Sequence, residues 1–102
     1  MAKEIILYNL AEHVTDEAYR DYVVNEKGPF LESLKSAKKF ELVKITGAAS
    51  GEIPYRYVGI LHLHSLEDFQ KNDAPSAAFQ EFMRKWRGMV ADFHILAGEE
   101  VY

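Results

Sequence analysis

The sequence predicts an α+β domain of the ferredoxin-like βαββαβ type, with a four-stranded antiparallel sheet in the order 4-1-3-2. Four segments rich in β-forming residues occur along the chain, and helical periodicity fills the gaps after the first and third. A loop joins the second segment to the third. Because crossover connections are right-handed, we expect both helical layers on one face of the sheet. At 102 residues the chain can enclose only one core, so residues 1–102 are expected to form a single domain.

The first half of the chain is predicted to form a strand, a helix and a second strand. Residues 3–10 form the first strand, and residues 39–48 alternate as the second. Thr15 is a predicted N-cap, followed by acidic residues that suit the positive end of a helix dipole. Gly28-Pro29 is expected to kink or restart this helix. Its inward stripe, at helical spacing, is predicted to comprise Tyr19, Tyr22, Val23, Glu26, Phe30, Leu31 and Leu34.

The second half repeats the pattern after a loop at residues 47–54, which contain two glycines and a proline. Residues 55–64 form the third strand, and Ser65 caps a short helix that runs to about residue 72. The segment 73–76 opens another helix, and residues 93–102 form the last strand. The apolar stripe of that helix comprises Phe79, Phe82, Met83, Trp86, Met89 and Val90.

The bulk composition excludes several classes of function. The net charge of −4 comes with scattered Lys and Arg, so we expect no nucleic-acid partner. The absence of Cys excludes disulfides, thiolate nucleophiles and Cys-ligated metals. No apolar run approaches the roughly 18 residues that span a bilayer, so no membrane association is expected. The first residues lead directly into an alternating strand, and the expected compartment is therefore the cytoplasm. Nucleotide-binding glycine loops and serine-nucleophile motifs are absent as well.

The period-2 pattern of the strands predicts which residues face the helices and which do not. One set is expected on the helix side: Asn9, Lys44, Tyr57, Gly59, Leu61, Leu63 and Ile95. The opposite set comprises Tyr8, Ile45, Val58, Ile60, His62 and His94. The uncovered face is predicted to carry Ile6, Val43, Ile45, Val58 and Ile60. Because an exposed apolar face of that size needs a partner, we expect a homodimer with the two sheets packed face to face.

The proposed topology brings an aromatic-walled ligand cavity together where the first strand ends and the third begins. We expect a small-molecule site whose ligand-binding residues are Asn9, Tyr19, Lys44, Tyr57 and Trp86, with Phe93 nearby. His13, in the loop before the first helix, is the candidate catalytic base. The alternative interpretation is an aromatic core in which the polar groups find ordinary partners, with Asn9 serving its own turn.

Histidines at positions 62 and 64 have the spacing of an H-x-H metal pair on a strand. A third ligand would have to be His94, which the strand pairing puts at the opposite end of the sheet from His62. We therefore expect no metal and no cofactor.

Three segments resemble the dimeric α/β-barrel superfamily, which includes small monooxygenases, isomerases, cyclases and EthD-like proteins. Residues 25–31 (NEKGPFL) resemble that group's helix ending in His-x-Pro-Leu, except that Lys27 stands where His is common. Residues 55–69 resemble its third-strand signature, and residues 97–101 its closing strand. In length and in the opening KEIILYNL the chain is most similar to the small REDY-like (HapK) proteins.

That resemblance implies a role in the biosynthesis of prodigiosin-type tripyrrole pigments, with a small aromatic or pyrrole-like ligand. Three functions stay open at this point. The protein could hold such an intermediate without transforming it, or it could act on it as a cofactor-free monooxygenase, cyclase or isomerase. It could also be a structural dimer without a ligand.

Overall fold

The computed structural model describes residues 1–102 as a four-stranded antiparallel sheet with helices on one face. The strands are β1 (Ala2–Leu10), β2 (Ala37–Lys44), β3 (Tyr57–Leu63) and β4 (Val90–Glu99). Their order is β2-β3-β1-β4, which is the predicted 4-1-3-2 order counted from the other edge. The helices are α1 (Asp16–Tyr22), α2 (Gly28–Glu32), α3 (Leu66–Asp68) and α4 (Ala77–Arg87). The predicted fold class is confirmed.

The starts of α1 and α3 follow the capping residues that the sequence indicated, and α4 begins directly after the segment predicted to open it. The side chain of Thr15 accepts a hydrogen bond from the backbone N–H of Ala18 at 3.1 Å. Ser65 and Ser76 act in the same way on the first turns of α3 and α4. Each contact satisfies one backbone donor that a helix start leaves without a partner. Strand ends agree less well, because β2 stops at Lys44 and β4 starts already at Val90.

Two π-helical segments, Val23–Lys27 and Phe69–Asp73, interrupt the helical layer. The first joins α1 to α2 and changes which residues face inward. The prediction that Glu26 lies on the inward stripe is wrong: Glu26 is exposed and its carboxylate binds Lys85 Nζ at 2.6 Å. The buried positions are Tyr19, Tyr22, Lys27 and Leu31. One extra residue in the π-helical turn moves the inward position from Glu26 to Lys27.

The sheet register corrects the predicted faces of β1. Tyr8 pairs with Tyr57 and Ile6 pairs with Gly59, so Tyr8 and Ile6 face the helices and Asn9 does not. The opposite prediction is wrong because β1 is apolar on both faces, and its period alone cannot choose between them. The open face of β1 instead carries Ile5 and Leu7. The predicted faces of the residues within β2, β3 and β4 agree with the register.

The core divides into two clusters between the sheet and the helices. One is mainly aromatic and consists of Tyr8, Tyr19, Tyr22, Tyr57, Trp86 and Val90. The other is mainly aliphatic and phenylalanine-rich and consists of Leu31, Leu61, Leu63, Phe69 and Phe79. The opposite face of the sheet has no helix over it. None of the helices has the length and apolar character needed to cross a bilayer.

Candidate functional site

A cavity of about 160 Å³ lies between the helical layer and the sheet, where the two core clusters meet. Eleven of its thirteen lining residues are hydrophobic, and the polar exceptions are Glu4 and Lys27. An engineered apolar cavity of about 150 Å³ is known to admit benzene, so this space suits a ligand of one ring. The hydrophobic lining comprises Ile6, Leu31, Phe40, Leu61, Phe69, Ala74, Phe79, Phe82, Met83, Trp86 and Ile95.

Lys27 is the buried amine of this cavity, and it is only 5% exposed. Its Nζ lies 3.0 Å from the hydroxyl oxygen of Tyr19 and 3.3 Å from that of Tyr8. The ring centroids of Tyr8 and Trp86 lie 5.0 Å from Nζ, and Phe40 and Tyr19 lie slightly farther away. Lys27 forms no ion pair. Burial therefore lowers the pKa of Lys27 from 10.5 to about 7, because the aromatic walls replace water around the ammonium.

The two phenols beside Lys27 form one hydrogen-bonded group with the indole. The hydroxyl oxygens of Tyr8 and Tyr19 are 2.6 Å apart, and Trp86 Nε1 donates to the Tyr19 oxygen at 3.0 Å. Burial raises the pKa of Tyr19 to about 12 and raises the pKa of Tyr8 well above its usual range. Both hydroxyls therefore keep their protons at neutral pH. Glu4 is the other polar group of the cavity, and partial burial raises its pKa as well.

A second, solvent-open groove lies outside the aromatic cluster, between α1 and the β2–β3 edge. It contains Tyr19, Lys44 and Tyr57 of the predicted ligand-binding set. The Tyr57 hydroxyl donates to one oxygen of Asp16 at 2.5 Å, and Lys44 Nζ binds the other at 2.9 Å. These two contacts hold the pKa of Asp16 below its usual range. The polar ends of Tyr57 and Lys44 are thus engaged by a surface carboxylate, outside the inner cavity.

The Asn9 side chain forms hydrogen bonds with the backbone of the loop that leads into β3. Its Oδ1 accepts from the backbone N–H of Arg56 at 3.0 Å, and its Nδ2 donates to the carbonyl of Pro54 at 3.1 Å. A longer contact of 3.4 Å reaches Asp92, a residue with φ of 54° at the bulge of β4. Asn9 does not line the inner cavity. Its three side-chain contacts match the turn alternative that the sequence left open.

The remaining predicted residues lie in two different places. Trp86 is buried at 2% exposure and forms part of the inner cavity wall. Tyr19 and Tyr57 pack against each other with ring centroids 5.3 Å apart, and Phe93 packs on Trp86 at the same distance. His13 is exposed in the loop between β1 and α1 and does not line the inner cavity. The structure therefore gathers the aromatic residues and leaves Asn9 and His13 at the surface.

His62 takes part in a polar chain on the open face of the sheet. Its Nε2 lies 2.5 Å from Glu41 and its Nδ1 2.9 Å from Lys3 Nζ. With Nε2 donating to the carboxylate, Nδ1 is free to accept from the ammonium. His62 is paired with Lys3 and His94 with Leu7, so the register separates the two histidines by four positions along β1, less than the opposite ends of the sheet that the sequence predicted.

Sequence reasoning missed Lys27, the amine of the inner cavity, and Tyr8, one of the two phenols that contact it. The prediction placed Tyr8 on the wrong face, and it treated Lys27 only as a departure from a familiar His. A signal for Lys27 was available in the five-residue interval between Tyr22 and Lys27, because both Lys27 and Leu31 would face inward if the helix held one extra residue there.

Fold and cavity together define a ferredoxin-like domain with a ligand-sized apolar space between its helices and its sheet. The sequence model of the family described as REDY-like protein HapK matches residues 2–101, so the chain belongs to this family. A search of curated proteins found no match.

Several solved structures have the same fold. HapK from Hahella chejuensis is similar with a TM-score of 0.80 and 21% identity, over 99% of this chain and 93% of that one. A dimeric ferredoxin-like protein of unknown function from Thermobifida fusca has a TM-score of 0.71 and 16% identity, over 97% and 90%. A mutant of SnoaB, a cofactor-independent oxygenase from Streptomyces nogalater, has a TM-score of 0.75 and 11% identity, over 99% and 93%. At these identities the likeness establishes the fold.

Proposed function

We propose that this protein binds a small aromatic or pyrrole-like molecule in the inner cavity, as a component of prodigiosin-type pigment biosynthesis. The observation that carries the proposal is the apolar cavity with an amine set into its aromatic wall. Small-molecule sites have this composition: mostly hydrophobic walls and a few polar groups that orient the ligand. The volume of about 160 Å³ limits the enclosed part of the ligand to about one ring. Membership of the HapK family supports the pathway assignment.

A second candidate function is cofactor-free catalysis, as a monooxygenase, cyclase or isomerase. The observation that favours it is the buried, hydrogen-bonded group of one amine and two phenols beside the cavity. Such a group can move a proton on a ligand without any cofactor. The similarity in fold to SnoaB is compatible with this candidate. His13 stays a predicted catalytic base, and its test is turnover by a His13→Ala variant.

The binding proposal is tested with the fluorescence of Trp86, the single tryptophan of the chain, which forms part of the cavity wall. Pyrrole and toluene serve as probes, and both should change the emission in a saturable way. Ala74 lines the cavity and Ala78 is exposed on α4, which gives a matched pair of filling variants. We expect Ala74→Leu to abolish the response and Ala78→Leu to preserve it. Saturating probe without any change in wild-type emission or in NMR shifts of cavity residues would refute binding at this site.

We further propose that the protein works as a homodimer. The sheet face without helices exposes apolar side chains, with Val43 at 48% and Leu96 at 49% exposure. The ten-residue strand β4 is also an edge with unpaired backbone groups, which isolated proteins seldom leave open. A second copy packed on this face would bury roughly 1,500 Å² or more in total.

A further inference from the structure

We propose that Lys27 is a covalent capture site for small aromatic aldehydes, which its amine holds as a reversible imine inside the cavity. This inference rests on the proposed function, because it names the ligand class of the same cavity. It requires a neutral amine, a neighbouring group that can carry a proton, and room for one ring next to the nitrogen.

The hydrogen-bond arrangement around Lys27 is complete only when the amine is neutral. The Tyr19 oxygen accepts from Trp86 Nε1 and has one further lone pair and one proton for its other two neighbours, Tyr8 and Lys27. If Lys27 were an ammonium, Tyr19 would have to donate to Tyr8, and the Tyr8 proton would have no acceptor among these groups. With a neutral amine, Tyr8 donates to Tyr19, Tyr19 donates to the Lys27 lone pair, and Lys27 donates to Tyr8. Every group in this ring is satisfied, and one amine N–H is left over.

The surroundings of Lys27 also distinguish it from the other lysines. Five of the other seven lysines form an ion pair with a carboxylate: Lys3, Lys39, Lys44, Lys71 and Lys85. Such pairing favours the charged, non-nucleophilic form. The remaining two, Lys35 and Lys38, are exposed to solvent. Lys27 has aromatic faces and phenols instead, and its pKa of about 7 leaves a large neutral fraction at physiological pH. The titratable groups in contact with Lys27 are Tyr8 and Tyr19, which stay protonated, and Glu4 is the other titratable group that lines the cavity.

The chemical step balances without an oxidant, a reductant or a cofactor. The Nζ lone pair attacks the aldehyde carbon, the C=O π bond breaks, and a carbinolamine forms. The Tyr19 hydroxyl, 3.0 Å from Nζ, donates its proton to the carbonyl oxygen and recovers one from nitrogen. The remaining N–H proton of the carbinolamine then leaves with the hydroxyl as water, and the nitrogen electron pair forms the C=N bond to Lys27. Addition of water reverses the sequence and releases the aldehyde unchanged.

The test uses benzaldehyde with cyanoborohydride at pH 7 on the full-length protein, followed by intact mass measurement and peptide mapping. Hydride addition to the imine carbon converts the reversible adduct into a permanent benzyl-lysine. Apart from the α-amino group of Met1, which also reacts at this pH and is distinguished by peptide mapping, we expect the benzyl label on Lys27. It should form at least about tenfold faster there than on any exposed lysine, because those are protonated. Lys27→Arg, which keeps a basic side chain, should abolish the label, and Lys71→Arg should leave it unchanged. Excess toluene should protect wild-type Lys27.

The outcomes separate this inference from the proposed function. Labels spread over exposed lysines, or retained in Lys27→Arg, would overturn capture by Lys27. Benzaldehyde that changes Trp86 emission without giving a trapped adduct would also overturn it, although binding in the cavity would stand. Failure of pyrrole and toluene to bind is a separate result, because it would remove the proposed function itself. The toluene protection experiment needs no variant, so it decides the matter even if Lys27→Arg does not fold.

Discussion

The hydroxyl oxygens of Tyr8 and Tyr19 lie 2.6 Å apart and connect the sheet to the helical layer. Tyr8 comes from the central strand β1 and Tyr19 from α1, and both are fully buried. A buried phenol needs a partner, because a hydroxyl removed from water without a hydrogen bond costs about 1–3 kcal/mol in proteins. Tyr8 and Tyr19 are hydrogen-bond partners of each other, and both hydroxyls also form a hydrogen bond with Lys27. This contact therefore links the stability of the core to the chemistry of the cavity.

The first prediction concerns the pH dependence of stability. Burial lowers the pKa of Lys27 from 10.5 to about 7, so between these values the unfolded chain binds more protons than the folded one. The free energy of unfolding should therefore rise with pH from about 7 towards 10, by at most about 1.4 kcal/mol per pH unit. Lys27→Met should lack this slope. Urea unfolding at pH 6, 7, 8 and 9 measures it, with the exposed Lys71→Met as control. Parallel curves for wild type and Lys27→Met would contradict the burial of a titrating amine.

The second prediction concerns Trp86. Truncation to Ala removes a side chain that is 2% exposed, so Trp86→Ala should lose about 3–5 kcal/mol of stability. Trp86→Phe keeps most of the volume and removes only the indole donor to Tyr19, so it should lose clearly less. Chemical denaturation of both variants provides the comparison. The wild-type emission maximum should be that of a buried indole, and a solvent-exposed maximum would count against the cavity wall.

The third prediction separates the loop role of Asn9 from a ligand role. Asn9→Ala removes contacts to the backbone of Arg56 and Pro54, so we expect a loss of about 1–3 kcal/mol and a lower melting temperature. Pyrrole affinity should not change, because Asn9 does not line the inner cavity. Tyr57→Phe serves as the paired variant from the predicted site. If either variant lost pyrrole affinity without losing stability, the ligand site would instead be the one that the sequence predicted around Asn9 and Tyr57.

The fourth prediction concerns assembly. Leu96→Glu puts a charge on the open face of the sheet, and we expect it to convert a dimer into a monomer. Val24 is even more exposed, at 62%, but lies in the helical layer, so Val24→Glu should leave assembly unchanged. Sedimentation velocity at micromolar concentration compares both variants with wild type. A wild-type protein that sediments as a stable monomer would remove the homodimer proposal.

Most of the fold could be predicted from sequence because its signals are local. The capping residues, the loop before β3 and the four β-rich segments each depend on a few neighbouring positions. The face of β1 could not be derived in the same way. Ile5, Ile6, Leu7 and Tyr8 are all apolar, so only pairing with β3, which is distant in the sequence, decides which of them face the helices.

The candidate site was harder to predict because its central residue looks like a surface residue. Lys27 follows Asn25 and Glu26 in a polar stretch, and ordinary helical spacing points Glu26 inward. The π-helical turn reverses that choice, and Gly28 supports it: a Cβ there would lie 3.0 Å from the carbonyl oxygen of Val23. A one-residue shift in which side of a helix faces inward changes neither the composition nor the charge of the segment, so neither quantity predicts it. The aromatic part of the site, by contrast, followed from the spacing of Tyr19 and Trp86.

The same turn has a consequence for how the chain can vary over evolutionary time. The inward residues are Tyr19, Tyr22, Lys27 and Leu31. Without the exposed Val24 they would be spaced by three, four and four residues, which is the normal spacing of one face of an α-helix. A lineage could therefore gain or lose one residue here without changing which side chain enters the cavity. Among relatives, a single-residue gap at this turn should accompany an unchanged inward set. An exchange of the cavity amine would instead require a substitution at Lys27 itself.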